Sequence, residues 1–259
     1  MHKEFVGSND RMPPPPRRTK LTFGTEPRPE QRGLKAFSGK RYPRSDWKEL
    51  MHLQEKHQSS PWHAWKSAGI EVKDQKSSSW CWCFGTVGAI QNRYAQQGMG
   101  DTQLSAASVA GPVMNYDKDR GGWGQYAVEH IQEHGVATKS TWPELSVSRK
   151  LAGSQKVIND RFQHDICGFE MFDPHDLDAV VSALICPVNP VPVTLGLLYW
   201  GHLVYANRAT LTDGKVTLWA VNSWGPKWNG NGTVKLVGRS KCSPDESIAI
   251  NCVKPITKK

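Results

Sequence analysis

Four side chains of this 259-residue chain have the types and order needed for acyl transfer through a thiol: Gln75, Cys81, His202 and Asn222. A cysteine attacks as its thiolate, and a helix N-terminus with a nearby imidazolium lowers the thiol pKa. Cys81 stands where such a helix should begin. From it the apolar positions Cys83, Val87, Ile90 and Tyr94 recur at helical spacing, and Gly98 follows as a C-terminal cap. The thiol then needs a histidine from another element as base and acid, and a third group, such as Asn222, to hold the imidazole in one tautomer. The tetrahedral oxyanion needs donors, which the Cys81 backbone N–H and the Gln75 amide can supply.

The elements that must position these groups differ along the chain. Residues 59–150 read as helical, with a second short helix over Gln125–His134 closed by Gly135. Residues 151–259 read as β, with strands at Pro192–Leu198, His202–Leu211, Val216–Asn222 and Thr233–Val237. Asp213-Gly214 signals a hairpin whose two strands carry His202 and Asn222 at their far ends. A strict two-residue loop pairs Thr212 with Lys215 and puts His202 and Asn222 on opposite faces. The hairpin is therefore expected to contain a three-residue loop or a bulge, which sets Val204 opposite Asn222 and makes His202 its same-face diagonal neighbour.

The segment Val72-Lys73-Asp74-Gln75 through Cys81-Trp82-Cys83-Phe84 resembles the active-site stretch of papain-like cysteine peptidases. So does Asn222-Ser223-Trp224-Gly225-Pro226-Lys227-Trp228 with Asn231-Gly232, and Gly201-His202 falls between them in the family's order. Arg120-Gly121-Gly122-Trp123 is similar to the glycine pair that binds extended substrate, and Trp65–Gly69 to the start of the mature enzyme. The resemblance spans roughly residues 60–253. It implies an α+β fold of two halves, one helical and one an antiparallel β barrel or sheet, with the cleft between them. It further implies peptide-bond hydrolysis through a thioester, with Cys81 as nucleophile, His202 as base and acid, Asn222 as orienting amide and Gln75 in the oxyanion hole. Trp224 would shield the His–Asn pair, Gly121 and Gly122 would bind substrate backbone, and Trp123 would line a pocket. The polypeptide substrate needs neither metal nor organic cofactor.

The chain departs from the family at Ser78 and around Asp119-Arg120, where one customary disulfide cannot form. Ser79 and bulky Trp80 precede the nucleophile, which narrows the first subsite, and Gly85 and Leu203 replace commoner residues. A rival chemistry lies in His130-Ile131-Gln132-Glu133-His134, whose histidines at i and i+4 have the spacing of some zinc peptidases, with no third ligand evident. Cys83 reads as core. Cys167, Cys186, Cys242 and Cys252 admit one or two bridges of undetermined pairing, free thiols being the simpler expectation for an unexported chain.

Residues 1–58 carry 13 Lys and Arg against 7 Asp and Glu, and 7 of the 17 prolines, including Pro13–Pro16. They read as a basic extension on a polyproline II path with one short helix near Ser45–Gln54. The extension is either a solvated leader or propeptide, or a dock for an acidic partner or large assembly; its charge also admits a nucleic acid, though nothing else in the chain asks for one. No apolar run is long enough to span a membrane, and none resembles an export signal in the first 20 residues. The expected location is thus the cytoplasm, or a virion or other large particle. The alternative to an enzyme is a non-catalytic or particle-bound assembly protein on a papain-like scaffold.

Overall fold

The computed structural model describes residues 12–16, 19, 21–30 and 34–254. Nine helices occur among them: α1 Arg44–His57, α2 Pro61–Ser67, α3 Cys81–Gln96, α4 Ala107–Val113, α5 Gly124–His134, α6 Arg149–Ala152, α7 Gln155–Arg161, α8 Leu177–Ile185 and α9 Arg239–Cys242. The strands are β1 Ile166–Met171, β2 Val193–Leu197, β3 His202–Thr212, β4 Lys215–Val221, β5 Thr233–Val237 and β6 Glu246–Val253. They form one six-stranded sheet in the order β1-β6-β2-β3-β4-β5, every pair antiparallel.

Strand side chains alternate between faces, and both faces of this sheet are covered. Leu203 and Tyr205 of β3, with Ile248 and Ile250 of β6, pack into the core around α3, α4 and α5. Their alternates Val204, Ala206 and Ala249 join a second core with α8 and with Trp47 and Met51 of α1. Helix α3 is buried through Tyr94, as a helix surrounded by others and by a sheet must be. It approaches β3 closely because Gly85 and Gly88 face it. A Cβ on Gly85 would lie 2.4 Å from Leu203 Cδ2, and one on Gly88 2.7 Å from Tyr205 Cε1. That approach brings Cys81, at the start of α3, to the end of β3 where His202 lies.

The β3–β4 hairpin turns on Asp213-Gly214, both with positive φ, and pairs Thr212 with Lys215. Its register shifts between Ala206 and Arg208, so the buried Asn207 is the extra residue, and Tyr205 comes to face Val221. The one-residue shift moves His202 onto the face that Asn222 uses. A two-residue turn and a bulge thus occur together.

Two expectations need correction. Cys167 and Cys252 are joined by a disulfide between β1 and β6, whereas Cys81, Cys83, Cys186 and Cys242 are free thiols. Bonding follows from strand order, since the first and last strands are neighbours and the two Cα atoms stand 5.3 Å apart. The extension is also more structured than a solvated leader. Its helix runs Arg44–His57, longer than Ser45–Gln54, and docks on α8: Arg41 and Arg44 pair with Asp176 and Asp178, and Gln54 Nε2 donates to Leu184 O. Ala36 then bridges Met171 in parallel, and Phe37 stacks on Phe172. Lys3, Arg11, Arg17, Arg18 and Lys20, part of the charge expected to attract a partner, lie outside the described residues.

Candidate active site

His202 opens β3 and Asn222 follows β4, and the bulge lets their side chains meet: His202 Nε2 is 2.7 Å from Asn222 Oδ1. That contact fixes the ring and leaves Nδ1 without a partner among the described residues. Asn222 is held in turn by its own N–H to Gly232 O and by Ser223 N donating to its Oδ1. Trp224 lies over the imidazole at 4.4 Å between centroids and is buried, so water is kept from the pair.

Cys81 is the first residue of α3, where backbone N–H groups have no partner within the helix. The N–H groups of Leu203, Trp82 and Cys81 itself face its sulfur, so the thiol sits against the residue next to His202. Both groups are fully buried. Burial pushes the thiol up to about 12 against the pull of those N–H groups, and pushes His202 down to about 4 although Asn222 favours its charged form. This reverses the expected lowering of the thiol pKa, because the charged pair is denied solvent. Thiol and imidazole are both neutral here.

Gln75 lies next to this centre on a loop stitched to the Asn222 turn. Its N–H bonds Ser223 O, its Oε1 accepts from Ser223 Oγ at 2.6 Å, and Asp74 bridges Trp224. Its amide donates one proton to Ser78 O, which leaves the other for an oxyanion.

The chain matches the model of the papain family cysteine proteases over residues 58–197. It belongs to that family. It is 28% identical over 209 residues to pro-cathepsin H of Medicago truncatula, covering 69% of this chain and 57% of that protein. The thiol protease aleurain of Arabidopsis thaliana gives 28% over 210 residues, with 69% and 56% covered. The chain therefore spans little more than half the length of these relatives. The bromelain protease of Ananas comosus, solved with an inhibitor, superposes with a TM-score of 0.58 at 19% identity, covering 73% of this chain and 97% of that one, which shows the shared fold.

Papain-family departures in this chain compensate one another. Gly85 and Leu203 are a pair, since any side chain at 85 would collide with Leu203. Where a half-cystine is lost at Ser78, the loop is tied by Ser79 N to Lys118 O and by Trp80 Nε1 to Asp117 O. Trp80 is wholly buried by this. The H-x-x-E-H stretch does not assemble a cation site: His130 Nε2 is 2.6 Å from an Arg161 guanidinium nitrogen, and burial, with that charge second, pushes His130 down to about 3. Nearby, Glu144 faces the buried Lys73 ammonium at 3.6 Å.

The remaining predicted site residues meet the chain's own extension. Phe23 N donates to Gly201 O and Gly24 N to Gly122 O, while Thr22 Oγ1 donates to Ser79 O. Gly121 gives Thr22 room, as a Cβ there would lie 2.0 Å from Thr22 O. Trp123 packs edge-on to Phe23 at 4.9 Å and donates from Nε1 to Glu26 O. Phe23 is buried where a side chain at Gly196 would stand. Residues 21–30 thus lie in the cleft, passing Gly201 and then Gly122, Trp123 and Tyr126. Sequence reasoning missed this segment; its only signal is Leu21-Thr22-Phe23-Gly24, a short and mostly apolar island in a polar extension. It also missed Glu246, which pairs with Gly196 across β6–β2 and accepts from Gly124 N and Gln125 N at the start of α5.

Proposed function

We propose that this chain is a cysteine peptidase captured with its own extension in the cleft. The observation that carries the reading is the His202–Asn222 contact, which leaves Nδ1 as the ring nitrogen for a thiol seated against Leu203. Once the strand leaves and substrate enters, Cys81 gives its proton to His202 Nδ1 and the sulfur attacks the carbonyl carbon. The Cys81 N–H and the free Gln75 proton stabilise the oxyanion. Collapse breaks the C–N bond, His202 passes its proton to the leaving amine, and a thioester remains. Water, activated by the same imidazole, then releases the acid and restores the thiol. The acyl side of the substrate would occupy Gly121, Gly122 and Trp123, which the extension now fills.

The assembly reading drew on the basic, proline-rich extension, the lack of an export signal and the altered residues beside the nucleophile, and the described part of that extension is engaged by the cleft and by α8. The test is covalent trapping. In a Phe23→Asp chain, in which the cleft strand is dislodged, a peptidyl epoxide should add once, to Cys81, and His202→Ala should remove that reaction. An opened chain that never labels at Cys81 would make the scaffold reading the better one.

A further inference from the structure

Beyond His202, on the side away from Gly122, the cleft continues as a wall of indoles. Trp200 and Trp224 stand 5.3 Å apart edge-on, Trp224 and Trp228 5.0 Å, and Trp200 and Trp228 6.3 Å. Trp200 and Trp224 are buried and both contact His202, so the imidazole is shielded without help from Trp228. Trp228 is half-buried. Its backbone is pinned by its N–H to Gly225 O and by its carbonyl accepting from Gly232 N, so the ring is presented in a fixed position.

The segment that reaches this wall is Met12–Pro16, through a proline carbonyl. Trp228 Nε1 donates to Pro14 O at 3.0 Å, and Met12, like Trp228, packs against the second core, to which Trp200 and Trp224 belong. Met12, Pro13 and Pro15 are half-buried whereas Pro14 and Pro16 are exposed, and Thr19 N donates to Pro16 O. A polyproline II strand repeats every three residues and has carbonyls with no internal partner. Met12 and Pro15 therefore share one face, and an indole N–H meets a carbonyl that would otherwise need water. Aromatic grooves recognise such strands in this way, at low ordering cost because the strand is preformed.

We propose that the Trp200–Trp228 surface is a recognition site for polyproline II segments, with Met12–Pro16 as its resident occupant and a proline-rich polypeptide as its ligand when the extension leaves. The part of this that concerns substrate rests on the peptidase reading: the proline-rich stretch would lie on the leaving-group side of the cut bond. Binding itself does not need Cys81.

The test uses the full chain carrying Cys81→Ala, so that binding is read without catalysis. Replacing Pro13–Pro16 with serine removes the tethered competitor, whose effective concentration is on the order of millimolar. A synthetic oligoproline peptide should then bind at least about tenfold more tightly than to the chain with its prolines intact, followed by titration calorimetry, which reads every variant alike. Trp228→Phe in the serine chain keeps a ring but no donor and should weaken binding about fivefold, and a Gly-Ser peptide of equal length should not bind. Equal binding of oligoproline and Gly-Ser peptides, or oligoproline binding indifferent to Trp228→Phe, would overturn the site. In the chain with Cys81 restored, the prolines replaced and the cleft opened by Phe23→Asp, peptides with prolines after the cut bond should show a lower KM than proline-free ones. An unchanged KM would overturn the substrate clause, and absence of any cleavage would count against the peptidase reading while leaving the binding result standing.

Discussion

Two of the places where the extension meets the rest of the molecule are held by different physics. Residues 41–57 dock on α8 as a helix that buries Trp47 and Met51, spends Gln54 on a helix-end carbonyl and pairs two arginines with two aspartates. Residues 21–30 have no regular structure and are held by backbone hydrogen bonds, one buried phenylalanine and an exposed ion pair. The first region is an anchor built like a core, and the second is a plug built like a bound peptide. An anchor of this kind keeps a plug nearby at high effective concentration, so the plug need contribute only a few kcal/mol to stay in place.

The largest effect should come from breaking the anchor. Trp47 is buried and its Nε1 donates to Tyr42 O, so Trp47→Ala should lower the unfolding free energy by about 3–5 kcal/mol, read from urea denaturation. Phe23→Ala should act differently. It removes the plug's one buried ring, and the rate at which a small thiol reagent modifies Cys81 should rise about a hundredfold, the equivalent of roughly 3 kcal/mol of closure that is also lost from the unfolding free energy, whereas Trp47→Ala should change labelling far less than its cost in stability. If both variants change labelling alike, the division into anchor and plug is wrong.

A third effect separates the plug from its floor. Glu246 lies beneath Phe23's pocket, opposite Gly196, and burial pushes its carboxyl up to about 7 although the Gly124 and Gln125 N–H groups pull it down. A carboxyl whose folded pKa is raised adds stability that is fully present below its unfolded value and is lost as pH rises through the folded one. Unfolding free energy should therefore fall between about pH 4.5 and 7, by roughly 3 kcal/mol at most, and Glu246→Gln should flatten that slope. A slope of the same size in the glutamine variant would assign it to other groups.

The meeting of His202 with Asn222 was legible because parity decides it. A two-residue turn between strands of those lengths puts them on opposite faces, and only an extra residue reconciles turn and site. Its position at Asn207 was not legible, since it depends on that buried amide packing beside Asn92 of α3. Helix α8 was hidden in a run rich in Val, Ile and Leu that also suits a strand, and only its burial against α1 settles the choice. The Cys167–Cys252 pairing needed strand order, which local pattern does not carry. The plug was the least legible part, because a backbone that binds in a cleft leaves almost no mark on residue type beyond Phe23.

The smallest expected effect tests whether the plug is held by charge. Arg120 and Glu26 pair through two hydrogen bonds, and the arginine holds the Glu26 carboxyl below its usual value. Arg120 remains 46% exposed at its side chain, so solvent screens most of the attraction and the cost of ordering two long side chains offsets much of the rest. Arg120→Ala should raise Cys81 labelling by no more than about twofold at low salt, and added salt should erase the difference. A rise close to that of Phe23→Ala would mean that the plug is an electrostatic latch. The comparison of a peptide-like plug with a core-like anchor would then have to be drawn again around charge.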